Sequence, residues 1–392
     1  MPLSQYMNDI EYYLKDNYTN IDQFMKEFDK TQSAQDENNI SIWSNFFRPE
    51  ESARMDFKSI TTTGANNLIA SAVPLGAEGQ TIKMPTYRQL TGEIAKLHSS
   101  ITLTEKEFEK IEEAKLLSDA AKTVTDTIID PVGIFRGQHI NTMDYYVGQL
   151  MSEGKIVYSS KNTFGIQESI DFFATAATSL EATSIATLRA NNSASTLWSA
   201  SSSNIIDDLI SADSTLEDNS LNGDRANTLI IADDVADYML RNNYLSQLST
   251  GLSNFVYNGS YTATQTNFIP YRQEILRQIL QRYLPNLEYV FIPTKKISYL
   301  TSAGVETKNQ KIFSAKKIAM CRTKDLGKML WKQTMSSKLA TQGEQVFTGN
   351  YGVTITIDKV QKAPPRLKYN MEAFCFPRFD EIGNLLIWQV VV

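Results

Sequence analysis

The stretch Gln138–Tyr158, QHINTMDYYVGQLMSEGKIVY, decides the fold that we expect for this chain. Its apolar residues recur at helical spacing, so one stripe of a helix is expected to lie in the core. The core positions that we predict on this stripe are Ile140, Met143, Val147 and Leu150. Gly154 follows where helices commonly end on a residue without a Cβ atom, and the next four residues predict a strand. The helix, the glycine and the strand together predict a rigid corner.

The composition is that of a globular protein with two lobes and extensions. The chain has 392 residues, which is more than one ordinary core holds. Its net charge of -6 argues against nucleic-acid binding by bulk electrostatics. Cys321 and Cys375 lie alone in strand-like segments, which favours buried, reduced thiols over a disulfide framework. No apolar segment approaches the length of a membrane span, so we expect a soluble protein without a membrane partner.

The first 55 residues predict an arm that cannot build a core of its own. Its aromatic side chains must be buried elsewhere in the molecule or on a partner. The aromatic anchors that we predict at a subunit interface are Phe24, Phe28, Trp43, Phe46 and Phe47. Residues 1–60 hold 11 acidic against 6 basic residues, whereas residues 293–378 hold 16 basic against 5 acidic ones. We therefore favour an acidic arm of one subunit on the basic sheet of another, with nucleic acid on the basic part as the alternative.

Residues 56–103 predict a long two-stranded ribbon, because alternation and threonine enrichment are interrupted by glycine and proline. Such a ribbon is marginal in water and exposes strand edges, so we expect it to lie across a neighbouring subunit. A capping box at Thr104 then starts a helix that is predicted to run to about Ile129. Pro131 and Gly133 are expected to break or kink it before the corner helix begins near Gln138.

The second half of the chain predicts a hairpin, an α/β lobe and a mostly β section. Tyr158 and Ile166 border the predicted hairpin turn, and Trp198 is the one large anchor of a Ser/Thr/Ala-rich run. Strands Thr228–Ile231 and Leu287–Pro293 alternate with helices, as in α/β lobes. Five further strands are predicted between Lys316 and Val392.

No motif for catalysis, for a cofactor or for a metal stands out. His98 and His139 are the only histidines, and both are expected to have surface or helix-cap roles. No glycine-rich phosphate loop is present. The pairs Asp207-Asp208 and Asp233-Asp234 lie in the first turns of helices, where acids complement the dipole. A carboxylate-dependent enzyme built on the α/β lobe remains as the alternative of another class.

Short motifs occur in a recognisable order along nearly the whole chain. They are Phe46-Phe47-Arg48, Leu150–Ile156, Ser169–Phe172, Trp198-Ser199, Cys321–Gly327 and Lys362-Ala363-Pro364-Pro365. Together with the order of the predicted parts, they resemble tailed-phage major capsid proteins of the Hong Kong 97 fold. Within that fold, the chain is most similar to the lambda-type capsid protein E family.

This resemblance implies an α+β fold with an N-terminal arm, an extended β-ribbon loop, a peripheral domain with a spine helix, and an α/β axial domain. The implied bounds are 1–55 for the arm, 56–103 for the loop, 104–172 for the spine part, 173–327 for the axial domain and 328–392 for the returning peripheral strands. It also implies a protein without enzymatic activity or cofactor.

The implied function is that of a major capsid protein whose hexamers and pentamers form an icosahedral shell around double-stranded DNA. Assembly would take place in the cytoplasm of a host bacterium, and the protein would end in the virion. The implied partners are a portal, a scaffold and optional decoration proteins. Some relatives crosslink a loop lysine to a neighbour's asparagine, so Lys83 and Lys96 are candidate donors, with non-covalent clasping as the favoured alternative. An encapsulin-like nanocompartment shell is the alternative within the fold.

Overall fold

The structure is a computed structural model, and it describes most of the chain after residue 41. The described residues are 42–63, 86–94, 96–106, 109, 120–157, 169–172, 198–201, 203–219, 225–243, 245, 269–300, 306–314, 316–337, 345–348, 350–360, 366–379 and 384–391. They form an α+β fold in which helices pack against two larger sheets. None of the helices in these residues is long and apolar enough to span a membrane.

A short arm helix, α1 (Ile42–Phe46), packs against the longest helix, α2 (Ala120–Glu153). The corner at the end of α2 is confirmed. Gly154 has φ 68°, the left-handed conformation that glycine adopts without a Cβ penalty, and its N–H donates to the Leu150 carbonyl at 2.8 Å. Strand β5 (Lys155–Val157) follows at once and pairs antiparallel with β6 (Ser169–Asp171), so the predicted hairpin is confirmed as well.

The predicted break at Pro131 and Gly133 is wrong, because α2 runs through both residues. A proline inside a helix removes one hydrogen bond and costs about 3 kcal/mol. Burial of the rest of the helix offsets that cost. Phe135, one turn after the proline, is fully buried, and Ile140 lies in the main core. The sequence therefore identified a locally unfavourable residue, and tertiary packing outweighed it.

The larger sheet has six strands from distant parts of the chain. The strand order is β1-β12-β15-β14-β13, and β4 also pairs with β15. The bounds are β1 Phe47–Glu51, β4 Lys96–Leu103, β12 Gly327–Lys332, β13 Gln345–Thr348, β14 Thr354–Val360 and β15 Arg366–Phe379. One face of β4, β14 and β15 forms a small apolar cluster with Phe135 of α2. The sheet is therefore held to the N-terminal half of the long helix.

Only part of the predicted ribbon is a free-standing pair of strands. Strand β2 (Asp56–Thr63) pairs antiparallel with β3 (Thr86–Glu93). In contrast, β4 pairs residue by residue with β15, from Lys96 opposite Phe374 to Leu103 opposite Leu367. Among the described strands, the pairing of the ribbon therefore ends at Glu93, before the predicted end at residue 103. Polar and apolar residues alternate in β4 because one face of the strand is buried in the large sheet. A strand of a hairpin can show the same alternation, so the local sequence does not distinguish the two cases.

The second sheet has four strands in the order β16-β11-β7-β8. The bounds are β7 Thr228–Ile231, β8 Tyr289–Phe291, β11 Lys317–Cys321 and β16 Leu385–Gln389. Its helices are α3 (Ile205–Asn219), α4 (Asp233–Arg241) and α5 (Ile269–Leu280). The α/β pattern of this lobe is confirmed, but β16 pairs with β11 here and not with the returning peripheral strands. Leu385 to Trp388 are all buried, so this strand requires a sheet covered on both faces. A separate pair, β9 (Lys296–Leu300) and β10 (Glu306–Lys311), completes the described strands.

Candidate assembly surfaces

The predicted core positions of the corner helix lie inside the subunit. Ile140 is 4% exposed, and Met143, Val147 and Leu150 are fully buried. On the same helix, a Cβ added to Gly148 would lie 2.5 Å from the Ile312 carbonyl oxygen, so the backbone after β10 crosses α2 at this glycine. The predicted core stripe of the corner helix is thus packed inside the subunit, whereas other side chains of the helix, such as Tyr145, Gln149 and Glu153, stay partly exposed.

Three of the predicted interface anchors are buried within their own subunit. Trp43, Phe46 and Phe47 are 3%, 2% and 2% exposed. Trp43 packs edge-on against Tyr351 at 5.2 Å, and Phe46 packs edge-on against Phe291 at 5.4 Å. These three residues are therefore buried in the molecule itself, the first of the two alternatives that the sequence left open for the aromatic side chains of the arm. The physical reason is that β1 joins the large sheet and carries the aromatic residues into the core with it.

The structure describes only one of the remaining predicted interface residues. Phe24, Phe28 and Lys83 lie outside the described residues. Lys96 forms an ion pair with Glu372 at 2.6 Å while its side chain stays 47% exposed. Although burial acts to raise it, hydrogen bonds from Lys96 and Ser336 hold the pKa of Glu372 below its ordinary value. Lys96 is therefore a charged group of the sheet surface, bound to a carboxylate of its own subunit.

The described end of the arm meets basic residues of the same subunit. Arg48, Lys328 and Arg378 stand opposite one another on β1, β12 and β15, which places three cations in a row across the sheet. Glu50 pairs with both Lys328 and Arg378, and Asp325 pairs with Arg48 at 2.8 Å. For these residues the acidic arm thus contacts the basic sheet within one chain, whereas we predicted a contact between chains.

Other lysines of the basic segment are also matched internally. Lys295 pairs with Asp144 at 2.5 Å, Lys311 with Asp234 at 2.5 Å and Lys317 with Glu153 at 2.8 Å. Asp144 was not among the predicted residues. It is a fully buried carboxylate that also accepts the backbone N–H of Trp43 at 3.1 Å. The sequence does contain a sign of this ion pair, since Asp144 follows Met143 directly on a helix with an apolar stripe. An acid buried at such a place requires a partner of opposite charge or hydrogen-bond donors.

The ribbon is anchored at its root. The ring of Phe57 stacks on Phe376 with centroids 4.4 Å apart, and Phe57 is 2% exposed. A Cβ on Gly92 would lie 2.6 Å from the Phe57 ring, so only glycine lets β3 approach it. Among the described strands, β2 and β3 pair only with each other. The ribbon therefore begins in the core and continues as a two-stranded arm.

Four groups of types that can take part in catalysis are buried or bound to a neighbouring side chain. Asp208 accepts the indole N–H of Trp198 at 2.9 Å. Burial raises the pKa of Cys375 to about 12 and raises that of Cys321 further. A shallow cleft between α5 and β8 contains Glu274, but the Arg277 guanidinium binds that carboxylate and lowers its pKa. No group of His, Cys, Asp and Glu in the described part of the chain is arranged to hold a metal ion.

The two histidines differ from each other. His98 is exposed on β4, as predicted, whereas His139 is fully buried in the middle of α2. The expected surface or cap role of His139 is therefore wrong. The error follows from the misplaced helix start, because a histidine near the first turn would have faced solvent.

Comparison with known proteins gives one family. The sequence model of the family described as phage major capsid protein E matches residues 31–298. No curated protein sequence matches the chain. Similar solved structures include a prophage protein of E. coli CFT073, which is 10% identical with a TM-score of 0.49, over 90% of this chain and 93% of that chain.

Two further solved structures are similar at lower scores. The capsid of Myoviridae phage XM1 is 9% identical with a TM-score of 0.44, over 90% of this chain and 92% of that chain. A virus-like particle from Pyrococcus furiosus is 7% identical with a TM-score of 0.38, over 93% of this chain and 99% of that chain. The family model spans more than half of the chain, which shows the family to which the chain belongs.

Proposed function

The chain belongs to the phage major capsid protein E family, and we propose that its copies assemble as hexamers and pentamers into an icosahedral head around double-stranded DNA. Membership of this family makes the chain a shell-forming capsid protein. The match of the family model over residues 31–298 is the observation that carries the proposal. A structural role also fits the two buried thiols and the acids Asp144, Asp208 and Glu274, which bind neighbouring side chains.

The ribbon supports assembly through a neighbouring copy. Two paired strands are marginally stable in water and leave unpaired edges. Here the root is fixed by Phe57, so the ribbon can extend from a folded subunit without destabilising it. We propose that it lies across an adjacent copy, and that Lys96 and Lys83 act there through non-covalent contacts.

The proposed domain division follows the sequence with two changes. The arm is 1–55, the extended loop ends at Glu93, and the peripheral domain takes β4 together with the spine helix and most of the returning strands. The axial domain is 173–327 with the addition of β16. The proposed partners are a portal, a scaffold, optional decoration proteins and packaged DNA, with assembly in the bacterial cytoplasm and a final location in the virion.

An encapsulin-like compartment is the second candidate, because such a shell would use the same subunit architecture. Particles recovered from an infected or induced host distinguish the two. We expect tailed particles that contain DNA and this chain, whereas enzyme-loaded shells without tails would favour the compartment.

The central test is assembly of the expressed full chain, with and without the neighbouring genes of its source. We expect closed shells with capsomers of five and six copies in electron micrographs, in at least one of the two conditions. A chain that remains monomeric in both conditions at high concentration would contradict the proposal.

A further inference from the structure

Strand β8 is the last described strand on one side of the four-stranded sheet. The sheet has the order β16-β11-β7-β8, and β8 pairs in parallel with β7. On the opposite side, the chain makes a further contact directly after β16, where the backbone N–H of Trp198 donates to the Val390 carbonyl at 3.0 Å. Among the described strands, β8 therefore has a neighbour on one side alone, and its other edge is open for pairing.

The register shows which backbone groups of β8 lie on the open edge. In a parallel ladder, both backbone groups of one residue bind the neighbouring strand, and those of the next residue point away from it. The N–H of Tyr289 donates to the Asn227 carbonyl at 3.0 Å, on the side of β7. The N–H and the carbonyl of Val290 therefore point away from β7, and neither has a hydrogen-bond partner among the described residues.

Helix α5 lies beside the open edge and forms a cleft with it. Gln273 of α5 donates a side-chain hydrogen bond to the Ile292 carbonyl at 3.5 Å, and Gln281, directly after α5, donates one to the Leu287 carbonyl at 2.7 Å. These two bonds lie on either side of Val290. The cleft between α5 and β8, which we call the edge cleft, has a volume of about 560 Å³ and includes Val290 in its lining. It thus offers a partner one backbone donor and one backbone acceptor.

The side chains of the edge cleft leave one carboxylate and one aromatic ring for a partner. Glu274 and Arg277 balance each other, because the guanidinium binds the carboxylate at 2.5 and 2.9 Å. Glu288 is exposed and forms no ion pair among the described residues. Tyr289 is 45% exposed, and the Lys324 ammonium lies 4.8 Å from the centre of its ring. The cation on the ring face restricts the ring, while much of the ring stays open to contact.

An open strand edge beside a helix fits an extended peptide, which adds a strand to the sheet while its side chains contact the helix. We propose that an extended segment of a second copy of this chain binds in the edge cleft and pairs with Val290. The choice of a second copy rests on the proposed function, because a shell brings copies of the chain together at fixed positions. Residues 293–378 of such a copy hold 16 basic against 5 acidic residues, which complements Glu288. Two different surfaces of identical copies then meet, which is the type of contact that builds rings.

Hydrogen exchange at single-residue resolution tests the pairing directly. The exchange rate of the Val290 amide is compared between dissociated subunits and assembled shells of the full chain. We expect this rate to fall by about tenfold or more in shells, because a hydrogen bond to a partner protects an amide that is unpaired in the subunit. The Tyr289 amide is the internal control, since its bond to the Asn227 carbonyl is present in both states.

Val290→Pro tests the same contact through assembly. Proline lacks the outward N–H, and edge strands tolerate it where the N–H takes no part in the ladder. Val290→Ala is the matched control, because it loses similar core contacts of this buried side chain and keeps the N–H. We expect subunits that melt alike and a shell yield about tenfold or more lower for the proline variant. If the proline variant does not fold, Glu288→Lys should lower the yield, whereas Asp218→Lys at an exposed acid of α3 should not.

Three results would overturn the proposal. Shells in which the Val290 amide exchanges as fast as in the subunit would contradict the edge contact and leave the proposed function intact. Protection of this amide that is seen only while another protein is bound to the shell would assign the edge cleft to that protein. An unmodified chain that forms no shells would contradict the proposed function, on which the choice of a second copy rests.

Discussion

At the scale of single residues, Gly148 is a position of α2 where a side chain would clash with backbone. Its missing side chain lets the Ile312 backbone cross the helix, and a Cβ there would lie 2.3 Å from the Ile312 side chain and 2.5 Å from its carbonyl oxygen. Backbone cannot move aside as a flexible side chain does. We therefore expect Gly148→Ala to lower the free energy of unfolding by about 1–3 kcal/mol, measured by urea unfolding of the dissociated subunit.

Gly137 is the matched control on the same helix. A Cβ at this position meets nothing within 4 Å, so alanine gains helix propensity without a clash. Gly137→Ala should raise the free energy of unfolding by about 0.5–1 kcal/mol in the same measurement. Equal effects of the two substitutions would show that the crossing at Ile312 is not as close as described.

At the scale of elements, the ribbon can be shortened without touching its root. Replacing residues 64–85 by a short Gly-Ser turn leaves β2, β3 and the stacked pair Phe57 and Phe376 in place. We expect an unchanged free energy of unfolding and no closed shells, because the part proposed to lie on a neighbour is gone. Normal shells from this variant, seen by electron microscopy, would contradict the proposed role of the ribbon.

Phe57→Ala is the control for the shortened ribbon, because it should lower the stability of the subunit, which the shortened ribbon leaves unchanged. This substitution removes a buried ring from the root, which typically costs about 3–5 kcal/mol. We expect loss of subunit stability before any specific effect on assembly. The two variants together separate the root, which belongs to the core, from the extension.

Elements were predictable from the sequence where local pattern and packing agree. Strand Thr228–Ile231 and the corner at Gly154 are of this kind, since a short apolar run or a helix followed by glycine has few alternative structures. The predictions were wrong where contacts with residues far away in the sequence determine the local structure. Pro131 is tolerated because α2 is buried, β4 pairs with a strand far along the chain, and the aromatic residues of α1 find their partners on β8 and at Tyr351. Such partners leave no local trace in a single sequence.

At the scale of the whole molecule, the arm divides into two parts with different effects. Removing residues 1–40 leaves α1 and β1 in the core, so the melting temperature of the subunit should change little while assembled shells become less heat-stable. Removing residues 1–51 also takes away Trp43, Phe46 and Phe47, and should lower the melting temperature strongly. Calorimetry of subunits and shells checks both. Shells as heat-stable without residues 1–40 as with them would mean that the arm does not contribute to assembly.

Removing the negative charges of the arm should lower the heat stability of shells less than removing residues 1–40 does. Neutralising Asp9, Glu11, Asp16 and Asp22 together should weaken shells without affecting the subunit, because exposed ion pairs contribute only about 0–1 kcal/mol each and add up over many copies. The difference in melting temperature between variant shells and unmodified shells should shrink as the salt concentration is raised. Salt screens the attraction of these acids in the unmodified protein, so both proteins then lack it. A quadruple variant whose shells melt like those of the unmodified chain at every salt concentration would contradict this role.

The large sheet joins early and late segments of the chain, with Lys96 and Glu372 paired across 276 positions. During synthesis, at about 5–20 residues per second, β1 and β4 are made long before the strands that they flank. The high sequence separation delays closure of the sheet, because distant loop ends must meet before any contact stabilises them. A ribosome-bound chain thus remains without this sheet until β15 emerges. A product that terminates before β15 lacks the strand that joins β12, β14 and β4, so we expect it to lack the large sheet altogether.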